Sequence, residues 1–311
     1  MIDPMPRKPN ITDPDEIRRR IAEQGRWWHE IELAPGIVTP GDDSNREKLP
    51  VLEEIGLPSR LDGVRALDIG CSDGYFSFEL ENRGAEVVAM DFVDASSTGF
   101  STAGEILGSH VEYRIENVYN LNPRDHGTFD LVFFLGVLYH LRQPLAALDS
   151  IRSIMREGGE LYVATFLIDE HVQLPGGDVT SLRNLNPTLS DIPLWQAYPG
   201  DSLNGDFTNC FAPNMRALHV ALAEAEFKVE ASIARPGAGF VRAKAVTNAL
   251  AAKYRVLDDR LHGSPFDPEV PYYLDEEGSV HDLTGRRQDN AAEQTSPPFD
   301  RRSWWRRFRN R

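Results

Sequence analysis

The most constraining feature of the sequence is the segment 67–75, which reads LDIGCSDGY. Its apolar start ends in a glycine turn containing Gly70 and Gly74, a pattern that predicts a buried strand turning directly into a helix. Such a turn directs backbone amides and the positive end of the helix toward the carboxyl edge of the sheet, where open α/β sheets bind their ligands. The segment therefore predicts an α/β fold with a ligand site at this turn.

Short apolar runs alternate with helical stretches from Val64 onward, which is typical of a parallel sheet with crossover helices. The clearest helix is predicted at 144–156, where apolar residues recur at helical spacing before Gly158 and Gly159. Two last apolar runs, joined by 235–239, predict a terminal hairpin. The fold class is therefore α/β, a Rossmann-like doubly wound sheet of seven strands, predicted at 64–69, 86–91, 111–115, 130–136, 160–167, 228–234 and 240–245.

An N-terminal cap is predicted over 1–60. Asp13 and the acids after it precede an apolar periodic run, which predicts a helix over 17–24. The stretch 34–41 is rich in proline and glycine, which disfavour both helix and central strand, so an ordered loop is expected there. This cap is expected to cover the cofactor and the substrate.

The sheet domain is predicted over 61–250, with a polar insertion at about 168–213 after the fifth strand. An insertion of this length in a compact domain is usually functional or disordered. Residues 251–311 contain the end of a helix predicted at 246–261, a polar linker and a basic tail, and are expected to be partly disordered. Three aromatic residues of the insertion favour an ordered lid: Trp195, Tyr198 and Phe207.

Asp91 ends the second predicted strand, 23 positions after Asp68. An acid there can accept hydrogen bonds from both hydroxyls of a ribose, which predicts an adenosine site. The glycine spacing differs from the G-x-G-x-x-G of nicotinamide sites, and the terminal hairpin favours a methyltransferase that binds S-adenosyl-L-methionine and releases S-adenosyl-L-homocysteine. The predicted cofactor-binding residues are Asp68, Gly70, Cys71, Ser72, Gly74, Asp91, Phe92, Asn117, Val118 and Leu135.

Two other functional classes fit parts of the pattern. The segment 70–74 also matches the G-x-S-x-G turn of serine hydrolases, in which Ser72 would be the nucleophile. The turn follows the first predicted strand, no HGGG-type sequence precedes it, and Asp91 would then have no role, so this hydrolase alternative is disfavoured. A methyltransferase fold that binds the cofactor without catalysing transfer is the other alternative.

Several motifs carry a family resemblance: 27–29 (WWH), 67–75, 135–140 (LGVLYH), 158–161 (GGEL) and 209–213 (NCFAP). Through them the chain resembles, over about 27–245, the tRNA wobble-uridine carboxymethyltransferase family and related small-molecule and sugar O-methyltransferases. The resemblance implies a class I methyltransferase sheet with an N-terminal cap and a lid insertion after strand 5. The carboxymethyltransferases use a carboxylated cofactor and place a basic residue in a stretch that has none here, 31–41. Lys48 is the nearest substitute, so ordinary S-adenosylmethionine is favoured.

Methylation of a small-molecule or sugar hydroxyl is the predicted reaction. A hydroxyl acceptor must lose its proton, and histidine is the usual base near neutral pH. His140, just beyond the fourth strand, is the candidate base, and Tyr139 is expected to position cofactor or acceptor; a capping or packing role for His140 is the alternative. The predicted substrate residues are Trp28, His29, Lys48, Trp195 and Tyr198. All of them except Lys48 could instead form, with Trp27, a hydrophobic clamp that fixes the cap to the core.

Charge and composition bear on metals and partners. Carboxylates and amides in the insertion suit a hard cation, so Mg²⁺ is a second cofactor prediction; they are Asp201, Asn204, Asp206 and Asn209. The formal net charge of -15 disfavours a nucleic-acid partner. The tail 301–311 mixes arginine with aromatic residues, which suits a peripheral contact with an anionic membrane. Two cysteines and an N-terminus unlike a secretory signal favour a cytoplasmic location.

Overall fold

A computed structural model describes residues 9–41, 47–174 and 177–247, together with two short strands, Tyr272–Leu274 and Val280–Asp282. The chain divides into two compact units, 1–247 and 248–311. In the second unit the two strands pair antiparallel. Of the helix predicted at 246–261, only Val246 and Thr247 are described, and they are not helical. Apart from these two strands, the predicted linker lies outside the described residues, as does the basic tail with its predicted membrane contact.

The strands of the first unit form one large sheet and three small hairpins. In the large sheet the order is β12-β13-β7-β6-β3-β4-β5, with β3 to β7 parallel and β13 antiparallel to both neighbours. The strands are β1 Glu32–Ala34, β2 Ile37–Val38, β3 Arg65–Ile69, β4 Glu86–Asp91, β5 Glu112–Ile115, β6 Phe129–Leu135, β7 Met155–Phe166, β8 Val172–Gln173, β9 Val179–Thr180, β10 Trp195–Ala197, β11 Phe211–Pro213, β12 Phe227–Arg235 and β13 Ala238–Ala245.

The helices begin where the sequence supplies caps. Asp13 accepts a hydrogen bond from the Asp15 amide at the start of the first helix, and Asn214 accepts one from the Ala217 amide at the start of the last. The helices are α1 Pro14–Gln24, α2 Lys48–Glu54, α3 Tyr75–Asn82, α4 Ala95–Thr98, α5 Phe100–Leu107, α6 Pro123–His126, α7 Pro144–Ser153, α8 Leu182–Leu185 and α9 Met215–Glu224. In the described part of the chain, none is long and apolar enough to cross a membrane.

Both faces of the large sheet are buried. Phe133 and Phe134 are consecutive residues of β6, and each is fully buried, but they belong to two different hydrophobic clusters. Because successive side chains of a strand point to opposite faces, the sheet is covered on both sides. This confirms the predicted doubly wound α/β fold. From β3 the chain continues to β4 and β5 on one side and later to β6 and β7 on the other, so the strand order reverses between β3 and β6. The carboxyl ends of the strands at this point border a crevice.

The start of β7 differs from the prediction. The helix predicted to end at Arg156 ends at Ser153, and the strand predicted from 160 begins at Met155. The pairing of β6 with β7 shifts register near this start. A Cβ at Gly159 would lie 2.9 Å from the Arg156 carbonyl oxygen, so the glycine is needed where the strand bends.

Two segments expected to be irregular contain short strands. Within 34–41, where a loop was predicted, Ile37–Val38 pairs with Glu32–Ala34 because Pro35 and Gly36 occupy the turn rather than a strand. In the predicted lid, β8 pairs with β9 and β10 pairs with β11, which holds the described part of this segment in a defined conformation.

Candidate active site

The turn between β3 and α3 lies against the segment that follows β6. The Gly70 and Cys71 amides donate hydrogen bonds to the Met90 carbonyl at 2.8 and 3.2 Å. Gly70 has φ of +72°, and a Cβ there would lie 2.5 Å from a Val137 methyl group. No side chain fits at Gly70, so the turn requires glycine for both its conformation and its close approach.

Asp91, at the end of β4, is oriented by two backbone amides. One carboxylate oxygen accepts a hydrogen bond from the Ser72 amide at 3.0 Å, and the other accepts one from the Phe92 amide at 2.7 Å. Ser72 has φ of +52°, a conformation uncommon for a residue with a side chain, and its amide thereby reaches Asp91. A carboxylate fixed in this way is suited to accept hydrogen bonds from a diol.

A small cavity of about 120 Å³ lies beside Asp91 and beyond the end of β5. Val118 and Val137 supply apolar walls, and Asn117 borders it at the start of a 3-10 turn. Phe92, also in its lining, exposes 79% of its surface and can cover a flat ring. The volume and lining of this cavity suit an adenine base whose ribose would be held by Asp91.

A larger cavity of about 470 Å³ continues from the glycine turn toward the cap. Seven of the predicted cofactor residues line it: Asp68, Gly70, Cys71, Ser72, Asp91, Phe92 and Leu135. Gly74 does not, because it has φ of +93° and its missing Cβ makes room for the rings of Phe78 and Phe100. Gly74 therefore serves packing at the start of α3 and, unlike the other glycine of the turn, does not line this cavity.

Asp68 is a buried acid in the wall of this cavity. Its carboxylate accepts a hydrogen bond from the Ser77 hydroxyl at 2.6 Å. Burial raises the pKa of Asp68 to about 6, although the Ser77 hydrogen bond acts in the opposite direction. A cationic ligand group beside Asp68 would stabilise its ionised form, so the site favours a ligand that brings positive charge. Ser77, one turn into α3, was not predicted.

The cap is fastened to the glycine turn by Asp73, which is fully buried. One of its carboxylate oxygens accepts hydrogen bonds from the Trp28 and His29 amides, both at 2.8 Å, and the other makes a very short contact with His29 Nδ1. Since Asp73 occupies Nδ1, Nε2 is the ring nitrogen of His29 that can contact a ligand in the cavity that this residue lines. Asp73 was missed in the sequence because its partners are 44 and 45 positions away.

A second cavity, of about 610 Å³, lies beyond the first and beneath the lid. A set of residues lines both cavities and therefore marks their junction: Trp28, Lys48, Leu135, Gly136, Tyr139 and His140. A group passing from a ligand in the first cavity to a ligand in the second would cross this junction. The predicted residues Trp28, Lys48, Tyr139 and His140 all lie there, whereas His29 lines the first cavity.

His140 ends a 3-10 turn that follows β6, and the lid holds it from one side. Its Nδ1 lies 2.9 Å from the Thr208 hydroxyl oxygen, and that hydroxyl is 2.7 Å from an Asp206 carboxylate oxygen. The carboxylate can only accept, so the Thr208 proton points to Asp206 and His140 Nδ1 must donate to Thr208. Nε2 is then unprotonated. Burial lowers the pKa of His140, which keeps the imidazole neutral near pH 7.

Residues 67–163 match a family model described as a methyltransferase domain. The chain contains a class I S-adenosylmethionine-dependent methyltransferase domain. It is 38% identical over 142 residues to a tRNA U34 carboxymethyltransferase from Campylobacter hominis, covering 43% of this chain and 49% of that protein. It is also 29% identical over 150 residues to a ubiquinone biosynthesis O-methyltransferase from Xanthomonas euvesicatoria, covering 48% of this chain and 60% of that protein.

The methyltransferase domain also resembles solved structures. The N-terminal domain of EvdMO1, crystallised with SAH and D-fucose, aligns with a TM-score of 0.53 at 21% identity and covers 78% of this chain and all of that one. This likeness supports the fold. The chain spans about half the length of the curated tRNA-modifying relatives it matches. The predicted fold and the predicted cofactor, S-adenosylmethionine, are thus confirmed.

Two predicted substrate residues of the methyltransferase domain lie elsewhere. Tyr198 is buried in a hydrophobic cluster of the lid, and its hydroxyl lies 3.1 Å from the Gln196 side chain. Trp195 packs against the main core and pairs with Pro213. Neither lines the two cavities, so the structure does not bring these two residues to the site. Trp27 is also buried, as the hydrophobic-clamp alternative required; Phe207 of the lid, by contrast, lines the second cavity.

The metal and hydrolase alternatives find no support in the methyltransferase domain. Among the described residues, no group of three or more His, Cys, Asp or Glu side chains could hold a metal ion. Asn209 is buried, and its amide nitrogen donates to the Leu203 carbonyl. The Ser72 backbone is held by Asp91 and Thr98, which explains Asp91 without a nucleophilic serine.

The raised pKa of Asp68 predicts how cofactor binding depends on pH. Above about pH 6 the carboxylate is ionised in the free domain and can pair with the ammonium group of S-adenosylhomocysteine. Below that pH, binding must displace a proton, so affinity should fall by up to about tenfold per pH unit. Calorimetry with S-adenosylhomocysteine measures this. Asp68→Asn should bind weakly with a flat pH profile; an unchanged wild-type affinity across this range would exclude the ion pair.

Proposed function

We propose that this chain is an S-adenosylmethionine-dependent O-methyltransferase acting on the hydroxyl group of a small molecule or sugar. The observation that carries the proposal is the position and tautomer of His140. It lines the junction of the two cavities, and its hydrogen bond to Thr208 leaves Nε2 unprotonated. A neutral imidazole at this junction is suited to take a proton from a hydroxyl in the second cavity.

S-Adenosylmethionine, when bound, supplies a methyl group carried on a sulfonium. Asp91 would hold the ribose and Asp68 the amino group, and Trp28 would close the cavity from the cap. Holding the acceptor in line with the methyl group can contribute about 7 to 11 kcal/mol. The acceptor oxygen would replace the sulfur as the bonding partner of the methyl carbon, so that S-adenosylhomocysteine is the leaving group, and His140 Nε2 would take the hydroxyl proton. Asp206 favours the resulting imidazolium through its charge.

A second candidate function is tRNA wobble-uridine modification with a carboxylated cofactor. The observation in its favour is Lys48, which lines both cavities and could pair with an added carboxylate. The named relative from Campylobacter hominis supports the same idea. Against it stands the formal charge of -15, which opposes binding of a polyanion such as tRNA. Ordinary methyl transfer to a small hydroxylated acceptor is therefore favoured.

Acceptor-dependent formation of S-adenosylhomocysteine tests this function. The purified chain is incubated with S-adenosylmethionine and, separately, with sugars, phenols, carboxylates or tRNA, and the product is quantified by mass spectrometry. Product is expected with a hydroxylated small molecule and at background level without acceptor. Turnover with tRNA that requires the carboxylated cofactor would support the second candidate. Tight cofactor binding with no turnover on any acceptor would instead identify a cofactor-binding scaffold.

A further inference from the structure

The two large cavities differ in the charge of the residues that line them. The first contains the acids Asp68 and Asp91 and, among its described lining residues, a single lysine or arginine, Lys48. The second contains both Arg26 and Lys48, against one acid in its described lining, Asp206. This excess of positive charge occurs in a chain whose formal net charge is -15. The second cavity therefore favours a ligand that carries an anionic group.

The acid of the second cavity is already engaged within the protein. The Asp206 carboxylate accepts hydrogen bonds from the Thr208 amide at 2.8 Å and from the Thr208 hydroxyl at 2.7 Å. These hydrogen bonds lower the pKa of Asp206, so it stays ionised near neutral pH and its charge acts on His140. Asp206 belongs to the lid, whereas the two cations belong to the cap. An anionic group would therefore be recognised by residues of the cap.

Arg26 is the cation whose position is specific to the second cavity. It lines that cavity but not the first, whereas Lys48 lines both. Among the described residues the Arg26 guanidinium has no ion pair or hydrogen bond, while Arg20, in the preceding helix, pairs with both Glu16 and Glu105. Arg26 is therefore available to a ligand in the second cavity, where the acceptor would lie, rather than to the cofactor.

The backbone beside Arg26 is firmly held. Trp27 is buried, and its indole nitrogen donates to the Ile21 carbonyl at 3.1 Å. The Trp28 amide donates to the buried carboxylate of Asp73 at 2.8 Å. These contacts fix the base of an exposed side chain whose end can adjust to a ligand. A guanidinium can form two parallel hydrogen bonds to a carboxylate or phosphate, a geometry that a lysine ammonium does not offer.

We propose that Arg26 recognises a carboxylate or phosphate group on the acceptor, and that Lys48 adds positive charge to the same cavity. This inference rests on the proposed O-methyl transfer and narrows its substrate class to acidic small molecules, such as a uronic acid, a sugar phosphate or a hydroxybenzoate. The reacting hydroxyl would lie at His140 and the anionic group at Arg26. A neutral acceptor, or a carboxylated cofactor that pairs with Arg26, is the competing explanation.

Pairs of probes that share a ring and differ in charge test the inference. D-glucuronate and D-glucose 6-phosphate are compared with D-glucose, and 4-hydroxybenzoate is compared with phenol, by calorimetry on the full chain saturated with S-adenosylhomocysteine. At least one anionic probe should bind the wild type about tenfold more tightly than its neutral counterpart. This preference should shrink as NaCl is raised from about 0.05 M to about 0.5 M, because salt screens exposed charges.

Arg26→Gln should weaken binding of the preferred anionic probe about tenfold and leave binding of its neutral counterpart unchanged. Arg26→Lys should recover part of the loss, because the charge returns without the paired hydrogen bonds. Arg183→Gln is the matched control. Arg183, in α8, is also exposed, has no ion pair among the described residues and lies outside the lining of both cavities. Thermal unfolding checks that each variant is folded.

Several outcomes would overturn the inference: no preference of the wild type for any anionic probe, equal affinity of wild type and Arg26→Gln, or equal weakening by Arg183→Gln. Arg26→Gln weakening the carboxylated cofactor instead of the acceptor would also overturn it. Methylation of a neutral probe that is insensitive to Arg26→Gln, without binding of anionic probes, would overturn it and leave O-methyl transfer standing. Binding of an anionic probe that depends on Arg26, without methyl transfer to any acceptor, would support the subsite and refute the proposed function.

Discussion

Replacing His140 with alanine is expected to lower kcat about 10²- to 10⁴-fold, the contribution of a positioned general base. Binding of S-adenosylhomocysteine should stay unchanged, because Asp68 and Asp91 provide the charged groups of the cofactor site. Stopped-time product assays and calorimetry measure the two quantities. His110→Ala, which removes an exposed imidazole remote from both cavities, is the control. Full turnover by His140→Ala would remove this residue from the mechanism.

The pH profile separates a base from a merely structural histidine. Burial lowers the pKa of His140, so the active neutral form persists below the usual range, and kcat/KM should decline only when pH falls through this lowered value. The negative charge of Asp206 acts in the opposite direction and raises the pKa of His140. Asp206→Asn should therefore move the acidic limb of the profile to lower pH. A limb that does not move would assign the titration to another group.

The parts of the fold that the sequence predicts are those encoded by contiguous residues. Strand β4 has the predicted bounds, 86–91, because an unbroken apolar run ends at the acid that the fold requires. Gly70 and Asp91 are recognisable for the same reason. His140 follows from its place just after the fourth predicted strand, since the carboxyl ends of parallel strands share one edge.

What the sequence does not predict depends on contacts between distant segments. Asp73 is an ordinary turn residue until Trp28 and His29 are seen to bind it. The second cavity likewise exists only because the lid lies over the end of β7, which is distant from it in the sequence. Trp195 and Tyr198 were predicted to face a substrate but pack away from both cavities, because an aromatic residue in a polar insertion has the same sequence signature whether it packs inside the lid or faces a ligand.

The second large effect is expected at Asp91. Its carboxylate is positioned by the Ser72 and Phe92 amides, and the ribose of the cofactor would donate two further hydrogen bonds to it. Each hydrogen bond to a charged group is worth about 1.5 to 3 kcal/mol, so losing one of the two should weaken binding by at least about 10- to 10²-fold. Asp91→Asn keeps the size of the side chain but replaces one acceptor oxygen with an amide group that only donates. The hydrogen bond that this oxygen accepts from the Phe92 amide or from a ribose hydroxyl is then lost.

Glu86→Gln provides a matched control for Asp91→Asn. Glu86 starts the same strand at the opposite edge of the sheet, is 79% exposed and lies 3.6 Å from Arg65, so its replacement removes the same unit of charge without touching the site. Calorimetric titration of both variants with S-adenosylhomocysteine, after thermal unfolding shows each to be folded, isolates the local effect. Glu86→Gln should bind like the wild type, since an exposed charge at that distance is screened by salt. Equal weakening in both variants would mean that net charge, rather than the carboxylate of Asp91, controls affinity.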